Sequence, residues 1–321
     1  MKAMILTAGK GTRLLPLTQE RAKPAVPIMG KPLIAIILNK LKTMGISQFR
    51  LNLHTLPESI IEAIRAFPEI ASNVSYSYEP TILGTGGGLC QNKSFFSEDT
   101  FVMVNGDIIF DFDIRPVIDF HIDNGALATL ALFPQSSPFS YTPIRFDSHN
   151  VIHSFPRFKD HASSGEAAYV FTGITVLSPD IFGFIRTGVF SDIVSEAYEP
   201  AIEKGLKICG YPVNGYWNDI GVPSRYLSAQ RDLFVRWGIA SSHIFSRGAS
   251  VMEPELIGPN VSIETGCVIE VGCEIKDAIL WENCHVRKGS IISHCVLGQN
   301  VVAAGHLENL VVTTYGEAPI D

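Results

Sequence analysis

A six-residue apolar repeat near the C-terminus constrains the fold of this chain more than any other feature. From about residue 248 onwards, β-branched side chains recur at every sixth position and a tryptophan continues the series: Val251, Ile257, Ile263, Ile269, Ile275 and Trp281. A second set keeps the same period: Val261, Cys267, Cys273, Ile279 and His285. An α-helix repeats every 3.6 residues, and a simple hairpin has no reason to keep a period of six. The pattern is typical of hexapeptide repeats that coil as a parallel β-helix.

Glycines fall between these apolar positions, where the backbone of such a coil has to turn: Gly258, Gly266, Gly272 and Gly289. Each side of a triangular coil takes one hexapeptide, so the stretch supplies about two to three turns. We therefore predict a left-handed parallel β-helix domain over residues 249–321, with His285 on an inward-facing series.

The first 238 residues have a different pattern, in which short apolar runs alternate with segments of helical periodicity. The predicted strands are residues 3–6, 49–53, 74–78 and 100–104, and the predicted helices are residues 32–44, 58–67 and 223–233. Strands separated by helices form right-handed βαβ crossovers, which give a mostly parallel sheet. We therefore predict an α/β domain with a Rossmann-like sheet over residues 1–238, which binds ligands at the carboxyl ends of its strands.

The composition of the 321-residue chain suits a folded protein, since 46% of its residues are hydrophobic and 18% are charged. The net charge of −7 argues against nucleic acid or an anionic membrane as the main partner. The six cysteines form no CxxC pair and no zinc-like spacing, so we expect reduced thiols in a cytoplasmic protein. No apolar run reaches ~18 residues, so no transmembrane helix is expected.

A glycine-rich loop with three cations follows the first predicted strand. It runs Leu6-Thr7-Ala8-Gly9-Lys10-Gly11-Thr12-Arg13-Leu14, and Lys23-Pro24 follows further along the chain. Its glycines remove side chains, so successive backbone N–H groups can converge on phosphate oxygens. Arg13 adds a fixed fork of donors, and Lys10 and Lys23 add point charges. In an acidic protein this loop is a local anion site.

Two common phosphate motifs do not fit the loop. A dinucleotide-binding fingerprint requires a third glycine where Leu14 stands. A Walker A loop requires Gly-Lys-Ser/Thr after four intervening residues, and Gly9 has no such partner. The loop therefore belongs to neither class.

Two aspartates stand where a metal ion would be useful. Asp107 follows the predicted strand 100–104, and Asp219 lies in a polar-aromatic segment before the predicted helix 223–233. Taken alone, Asp107 would be a turn former and Asp219 a helix N-cap. Beside a triphosphate-binding loop, their carboxylates are the hard oxygen ligands that Mg²⁺ takes.

The loop, together with Pro16-Leu17-Thr18 and Lys23-Pro24-Ala25-Val26-Pro27, resembles the signature of the sugar-1-phosphate nucleotidylyltransferases. The resemblance covers essentially the whole chain, because a hexapeptide tail is also common in that family. It implies that Ala8, Gly9, Gly11 and Thr12 contact a nucleoside triphosphate. It also implies that Arg13 holds the departing pyrophosphate and that Lys23 binds phosphate between the two substrates. In the family, aspartates at the positions of Asp107 and Asp219 hold the catalytic Mg²⁺.

The segment from Glu79 to Gly88 extends the resemblance. It reads Glu79-Pro80-Thr81-Ile82-Leu83-Gly84-Thr85-Gly86-Gly87-Gly88 and lies between a predicted strand and a helix. In similar enzymes the corresponding stretch contacts the base and the ribose, which implies nucleotide-binding roles for Glu79, Gly84 and Thr85. The glycines would let the base approach the main chain, and the helix N-terminus would favour anions. A plain loop-to-helix turn is the alternative.

The sugar-binding residues follow the family pattern less closely. The resemblance implies that Lys159 grips the sugar phosphate and that Glu166 and Thr172 bind the sugar. Thr172 replaces the asparagine that family members commonly have before Gly173-Ile174. A solvated surface lysine is the alternative for Lys159.

The resemblance implies transfer of a nucleoside monophosphate from a nucleoside triphosphate to a sugar 1-phosphate, with release of pyrophosphate and with Mg²⁺ as the cofactor. We expect GTP with mannose 1-phosphate or a related sugar. The alternative is UTP with a sugar such as N-acetylmuramate 1-phosphate. The β-helix is expected to serve assembly into a homo-oligomer, because open β-helix ends and apolar faces are usually covered.

Two other functional classes are less consistent with the residues. A non-catalytic regulatory subunit of the same fold would have lost some of the four residues Arg13, Lys23, Asp107 and Asp219, and all four are present. An acyltransferase using the tail would need more coils and a histidine at a subunit interface, where the candidates would be His285, His294 and His306.

Overall fold

A computed structural model of the protein describes residues 1–134, 141–155, 169–239 and 243–320. The chain divides into two compact units, each assembled from several stretches. The first, here called the sheet unit, comprises Met1–Gly9, Ile37–Thr55 and Phe67–Trp217. The second, here called the coil unit, comprises Lys10–Ile36, Leu56–Ala66 and Asn218–Asp321. The domain boundary predicted between residues 238 and 249 stays a prediction.

The strands before residue 220 are β1 (Lys2–Leu6), β2 (Pro27–Ile28), β3 (Lys31–Pro32), β4 (Gln48–Leu53), β5 (Val74–Tyr78), β6 (Phe101–Asn105), β7 (Ile108–Phe110), β8 (Ala128–Pro134), β9 (Tyr169–Leu177), β10 (Ile208–Pro212) and β11 (Trp217–Asp219). Those after it are β12 (His243–Phe245), β13 (Ser250–Val251), β14 (Val261–Ile263), β15 (Val268–Ile269), β16 (Glu274–Leu280), β17 (His285–Val286), β18 (Ile291–Leu297), β19 (Val302–Ala303), β20 (His306–Glu308), β21 (Leu310–Thr313) and β22 (Gly316–Pro319).

The α-helices are α1 (Leu33–Thr43), α2 (Pro57–Arg65), α3 (Pro68–Ala71), α4 (Gly84–Gln91), α5 (Lys93–Phe96), α6 (Arg115–Asp123), α7 (Glu199–Glu203) and α8 (Pro223–Arg236). Short 3₁₀ turns are formed by Thr12–Leu14, Leu17–Gln19, Lys23–Ala25, Pro179–Gly183 and Pro254–Leu256, and Val194–Tyr198 is a π-helical turn. Within the described ranges, no helix is long and apolar enough to cross a membrane.

The sheet unit is built on one mixed sheet with the strand order β10-β8-β9-β6-β1-β4-β5. Strand β1 pairs in parallel with both β4 and β6, while β9 runs antiparallel to its two neighbours. The core on this sheet contains the buried side chains of Met4, Phe101, Leu130 and Leu177. The prediction of an α/β fold with a mostly parallel sheet is therefore confirmed.

The parallel register places several loop residues at one edge of the sheet. Leu6 at the end of β1 is opposite Asn52 in β4 and Asn105 in β6, and Leu53 is opposite Tyr78 in β5. The loops that leave this edge begin directly after these residues, because the carboxyl ends of parallel strands coincide.

The coil unit contains the predicted repeats as parallel strands stacked in register. Ser250 pairs with Val268, which pairs with His285, which pairs with Val302. The coil advances by 18 residues in the first step (268 − 250) and by 17 in the next two (285 − 268 and 302 − 285). These parallel strands confirm the prediction of a β-helix.

The shortened coils change which side chains face inwards. Ile263 is opposite Leu280 rather than Trp281, and the coil omits one residue at the corner where Asp277 has a positive φ of 45°. The inward position predicted for His285 is wrong for the same reason. Its Nε2 lies 2.6 Å from Glu270 Oε1 on the outside, and its neighbours Cys284 and Val286 are the buried ones.

Two adjacent isoleucines on β18 provide a test of this inward and outward assignment. Ile292 is 0% exposed and Ile291 is 41% exposed. We expect Ile292→Ala to lower the free energy of unfolding by about 2–5 kcal/mol, because it leaves a cavity between coils. Ile291→Ala should cost less than about 1 kcal/mol, since it removes partly solvated surface. Equilibrium urea unfolding of both variants checks this, and equal losses would contradict the assignment.

Candidate functional site

The loop that follows β1 is held at its base by buried hydrogen bonds in the sheet unit. The Thr7 backbone N–H donates to Asn52 Oδ1 at 2.8 Å, and the Thr7 hydroxyl donates to the Asn52 carbonyl. Ala8 is buried, whereas Gly9 is exposed, and a Cβ on Gly9 would meet no atom within 4 Å. Of the predicted nucleotide contacts in this unit, Gly9 therefore borders open space and Ala8 supports it.

Glu79 is part of the same hydrogen-bonded network. Its side chain is 3% exposed, and its Oε1 accepts a hydrogen bond from Asn52 Nδ2 at 2.7 Å. Its Oε2 accepts from the Leu83 backbone N–H at 2.9 Å. Both carboxylate oxygens are thus engaged within the protein, which satisfies a buried charge. Glu79 fixes the loop between β5 and α4, and its predicted contact with the nucleotide stays a prediction.

The glycines at the start of α4 make room for another part of the chain. A Cβ on Gly84 would lie 2.6 Å from the Ser191 carbonyl oxygen, and one on Gly86 would lie 2.7 Å from Ser191 Oγ. A Cβ on Gly87 would lie 2.6 Å from the Val189 carbonyl oxygen. We expected these glycines to admit a base, whereas in the structure they admit the segment around Ser191.

The same segment occupies the N-terminus of α4. The Ser191 carbonyl oxygen accepts hydrogen bonds from the Gly86 and Gly87 backbone N–H groups at 2.9 and 3.2 Å. The Thr85 hydroxyl accepts from the Ile193 backbone N–H at 3.0 Å. These contacts satisfy amides that a helix N-terminus leaves free, so the expected anion preference of this helix end is already met by the protein.

Thr172 lies inside the sheet unit. It is fully buried, and its hydroxyl donates to the Ala131 carbonyl oxygen at 2.8 Å. The Thr172 carbonyl oxygen accepts from Trp217 Nε1 at 2.7 Å. The threonine therefore ties β9 to its surroundings, and the sugar contact stays a prediction. Lys159 and Glu166, the other two predicted sugar-side residues, lie outside the described residues.

Asp107 stands in the turn between β6 and β7, at the carboxyl edge of the sheet. The adjacent Gly106 backbone N–H donates to the Leu6 carbonyl oxygen at 2.9 Å, which joins this turn to the end of β1. The aspartate itself is half-buried. The prediction that Asp107 follows a strand and leaves the sheet edge near the first loop is confirmed.

In the coil unit, the rest of the glycine-rich loop folds into short 3₁₀ turns. Gly11 has a φ of 65°, and a Cβ there would lie 2.8 Å from Thr18 Cγ2. The Thr18 hydroxyl donates to the Gly11 carbonyl oxygen at 3.0 Å. A glycine is needed at position 11 because any side chain would combine an unfavourable backbone conformation with this close contact.

The cations of this loop differ in their surroundings. Arg13 and Thr12 are exposed, whereas Lys23 is buried in the turn Lys23–Ala25. An exposed guanidinium is accessible to a ligand in solution. A buried ammonium is held in place by its neighbours, which suits a group that has to meet phosphate at a defined position.

Asp219 lies beside Arg13 within the coil unit. A Cβ on Gly221 would lie 3.0 Å from Asp219 Oδ2 and 3.6 Å from Arg13 Nη1, so both groups border the same small space. Arg225 donates from Nη1 to Asp219 Oδ1 and forms an ion pair with it. The N-cap of α8 is Val222, so Asp219 does not cap that helix.

The donor chemistry of the two aspartates fits Mg²⁺. Within the described ranges, no group of three or more His, Cys, Asp or Glu side chains is arranged to hold a metal ion. Magnesium takes few protein ligands and completes its shell with waters and phosphate oxygens. Asp107 in the sheet unit and Asp219 in the coil unit each supply hard carboxylate oxygens of the required kind.

Three residues of these networks were not predicted from the sequence: Asn52, Ser191 and Arg225. Arg225 had a usable signal, because Pro223 is a favourable first residue of a helix and places Arg225 in the first turn after Asp219. Asn52 and Ser191 act through contacts with residues 45 and more positions away, which periodicity does not reveal.

Comparison with known proteins adds two family matches. A family model described as Nucleotidyl transferase matches residues 2–235, and one described as GMPPB C-terminal domain matches residues 239–314.

Individual relatives are of modest identity but cover most of the chain. A UTP–glucose-1-phosphate uridylyltransferase from Synechocystis sp. is 28% identical and spans 92% of this chain and 82% of its own length. A probable mannose-1-phosphate guanylyltransferase 2 from Oryza sativa is 27% identical over 97% and 90% of the two chains. The bifunctional protein GlmU of Methanococcus maripaludis is 32% identical over 85% of this chain and 61% of its own.

Replacement of Gly84 tests the contact between α4 and the segment around Ser191. Gly84→Ala introduces a Cβ against the Ser191 carbonyl oxygen at a residue whose φ is 76°. We expect a loss of about 2 kcal/mol or more in unfolding free energy, from left-handed strain together with overpacking. Gly183→Ala is the matched control, because its Cβ would meet nothing within 4 Å. Thermal unfolding should move for the first variant only, and similar midpoints for both would refute the close approach.

Proposed function

Since the chain belongs to the nucleotidyl transferase family and is a nucleotidyltransferase, we propose that it transfers a nucleoside monophosphate from a nucleoside triphosphate to a sugar 1-phosphate. The products are a nucleoside diphosphate sugar and pyrophosphate. The relatives named above carry names of both uridylyl and guanylyl transfer to sugar phosphates, which supports this reaction class.

The observation that carries the proposal is the grouping of Arg13 and Asp219 around Gly221 in the coil unit. A cation and a carboxylate at one point suit a triphosphate that is bound partly by a guanidinium and partly through a metal ion. The exposed Gly9 and Arg13 leave space for that ligand.

The proposed reaction needs no covalent intermediate on the protein. A phosphate oxygen of the sugar 1-phosphate attacks the α-phosphorus in line and forms the new P–O bond. The bond from the α-phosphorus to the bridging oxygen breaks, and pyrophosphate leaves with the electron pair. The nucleophile is already an anion, so no general base is required, and catalysis consists of positioning and charge neutralisation.

Each residue has one role in this scheme. Arg13 donates to the departing pyrophosphate, where negative charge builds up, and Lys23 holds phosphate between the two substrates. Gly9, Gly11 and Thr12 line the triphosphate with backbone groups. Asp107 and Asp219 would hold Mg²⁺, which supplies charge neutralisation at the phosphates when it is bound. Arg225 balances and orients the Asp219 carboxylate.

We further propose GTP and mannose 1-phosphate, or a related sugar, as the substrates. The stretch from Glu79 to Thr85 is closer to guanylyltransferases than to other members of the family, and the rice relative has that name. UTP is the alternative, which the Synechocystis relative supports. Self-association through the β-helix remains part of this proposal.

A pyrophosphate-release screen tests the reaction and its specificity together. We expect release only when a nucleoside triphosphate, a sugar 1-phosphate and Mg²⁺ are all present, with the highest kcat/KM for GTP and mannose 1-phosphate among four nucleotides and several sugar phosphates. Preference for UTP would reverse the substrate assignment, and no release with any pair would overturn the reaction.

Arg13→Ala tests the role of the exposed guanidinium. Loss of a donor to a group that gains charge in the transition state lowers kcat by about 10²–10³-fold, which corresponds to about 2.7–4 kcal/mol. Arg115→Ala is the control, because Arg115 is an exposed arginine paired with Asp113 outside the site. Its kcat should stay within about twofold of the wild type, since exposed ion pairs contribute little. A folded Arg13→Ala enzyme within threefold of the wild type would remove Arg13 from the mechanism.

A double-mutant cycle tests whether Asp107 and Asp219 serve one metal ion. Asp107→Asn and Asp219→Asn should each reduce kcat strongly and raise the Mg²⁺ concentration needed for half activity, because each removes a charge that opposes the ion. The double variant should lose far less than the sum of the single losses. Asp113→Asn is the carboxylate control and should leave the Mg²⁺ dependence unchanged. Strictly additive losses would mean that the two aspartates do not share a metal.

A further inference from the structure

The segment between Arg13 and Pro27 is attached to the β-helix by side chains that the proposed mechanism does not use. Arg21 donates to both carboxylate oxygens of Glu282, at 3.1 and 2.6 Å, across 261 positions of sequence. The two side chains are 16% and 31% exposed, so the ion pair is largely shielded from solvent. Two parallel N–H···O bonds fix the direction of the guanidinium as well as its distance.

Trp281 forms the floor of this socket. The Arg21 guanidinium lies 4.6 Å from the centre of the Trp281 ring, a stacking geometry in which the ring face attracts the cation. Trp281 stands here because of the shortened coil described above, in which Leu280 takes the inward position opposite Ile263. A coil of 18 residues would have turned the indole into the β-helix core.

Glu20 provides a second attachment one residue away. Its Oε2 accepts a hydrogen bond from the Gln299 backbone N–H at 2.6 Å, on the next coil of the β-helix. A Cβ on Gly298 would lie 2.6 Å from the same oxygen, so the absence of a side chain at position 298 permits this approach. Burial raises the pKa of the Glu20 carboxyl above its ordinary value.

A third attachment lies beyond Lys23. The Tyr226 hydroxyl on α8 donates to the Pro27 carbonyl oxygen and accepts a hydrogen bond from Trp281 Nε1 at 3.2 Å. The indole that stacks on Arg21 therefore also reaches Pro27 through one tyrosine. Lys23 sits between the two attachments at Arg21 and Pro27, in a turn that has few hydrogen bonds of its own.

We propose that the pair Arg21–Glu282, stacked on Trp281, is a positioning device through which the β-helix holds the catalytic loop. This inference rests on the proposed function, in which Arg13 and Lys23 contact phosphate. Arg21 and Glu282 touch neither substrate nor metal in this scheme. They act by fixing the backbone from which Arg13 and Lys23 extend, and the β-helix thereby gains a role in catalysis beside the expected role in assembly.

Charge explains why Arg21 is the sensitive member of the pair. Its guanidinium is placed among the carboxylates of Glu20 and Glu282, whose mutual repulsion it offsets. Without the cation, two carboxylates at the junction repel each other, and the loop has reason to leave the β-helix. Without Glu282, the cation still has Glu20 and the indole nearby.

The test measures catalysis and loop order in the full-length protein. We expect Arg21→Gln to lower kcat by about 10–100-fold, since a displacement of about 1 Å in a phosphate-binding group has effects of that size. The KM values should change by less than about threefold, because backbone contacts to the ground-state triphosphate remain. Arg21→Lys keeps the charge without the fork of donors and should recover most of the lost kcat.

Hydrogen exchange supplies a readout that does not depend on activity. Backbone amides of residues 10–27 should exchange faster in Arg21→Gln than in the wild type, without added substrate. Arg287→Gln is the matched control, because Arg287 pairs with Glu270 on the same β-helix and is 54% exposed. It should leave both kcat and the exchange of residues 10–27 unchanged. Size-exclusion chromatography of all variants separates these effects from a change of oligomeric state.

A double variant distinguishes positioning from general destabilisation. In an Arg13→Ala background, Arg21→Gln should reduce kcat by much less than in the wild type, since the device acts largely through Arg13, while its effect on exchange persists. Wild-type exchange together with kcat within threefold in Arg21→Gln would overturn the proposal, as would fully additive losses in kcat. If Arg21→Gln does not fold, Arg21→Lys and Glu282→Gln are judged by the same criteria. Faster exchange in a protein whose wild type releases no pyrophosphate would refute the proposed function and leave the attachment intact.

Discussion

The stacking of the Arg21 guanidinium on Trp281 joins the cation-bearing loop to the β-helix, and the order of that loop depends on it. The loop consists of short 3₁₀ turns, whose local hydrogen bonds are few and of poor geometry. Such a segment has no internal means of holding two cations in fixed positions. Its conformation therefore comes from tertiary contacts with residues more than 250 positions away, which is why it belongs to the same compact unit as the β-helix.

The sheet unit solves the same problem with buried polar groups. Asn52 satisfies the Thr7 main chain with its oxygen and the Glu79 carboxylate with its nitrogen. A buried amide and a buried carboxylate are stable only when they are paired, so each enforces the geometry of the other. Residues at this sheet edge thus divide into those that build the loops and those, such as Gly9, that face open space.

Periodicity predicted the elements of this fold well, because burial imposes a repeat that composition cannot hide. The strand at Val74–Tyr78 and the β-helix both follow from it. The sequence average could not reveal where a coil loses one residue, since a step of 17 in place of 18 shifts every later side chain to another face. The glycines of α4 announced a close approach, but only the fold shows that Ser191 is the neighbour.

A loop that takes its conformation from a distant coil also links substrate to that coil. By thermodynamic reciprocity, a ligand that binds better when the loop is ordered must stabilise the β-helix contact by the same free energy. The size of this linkage is bounded by the contacts that carry it. Exposed ion pairs contribute about 1 kcal/mol or less, whereas the shielded, bidentate and stacked Arg21 exceeds that class. The outer surface of the coil around Glu282 is consequently a place where binding or mutation alters catalysis without contact to the substrates.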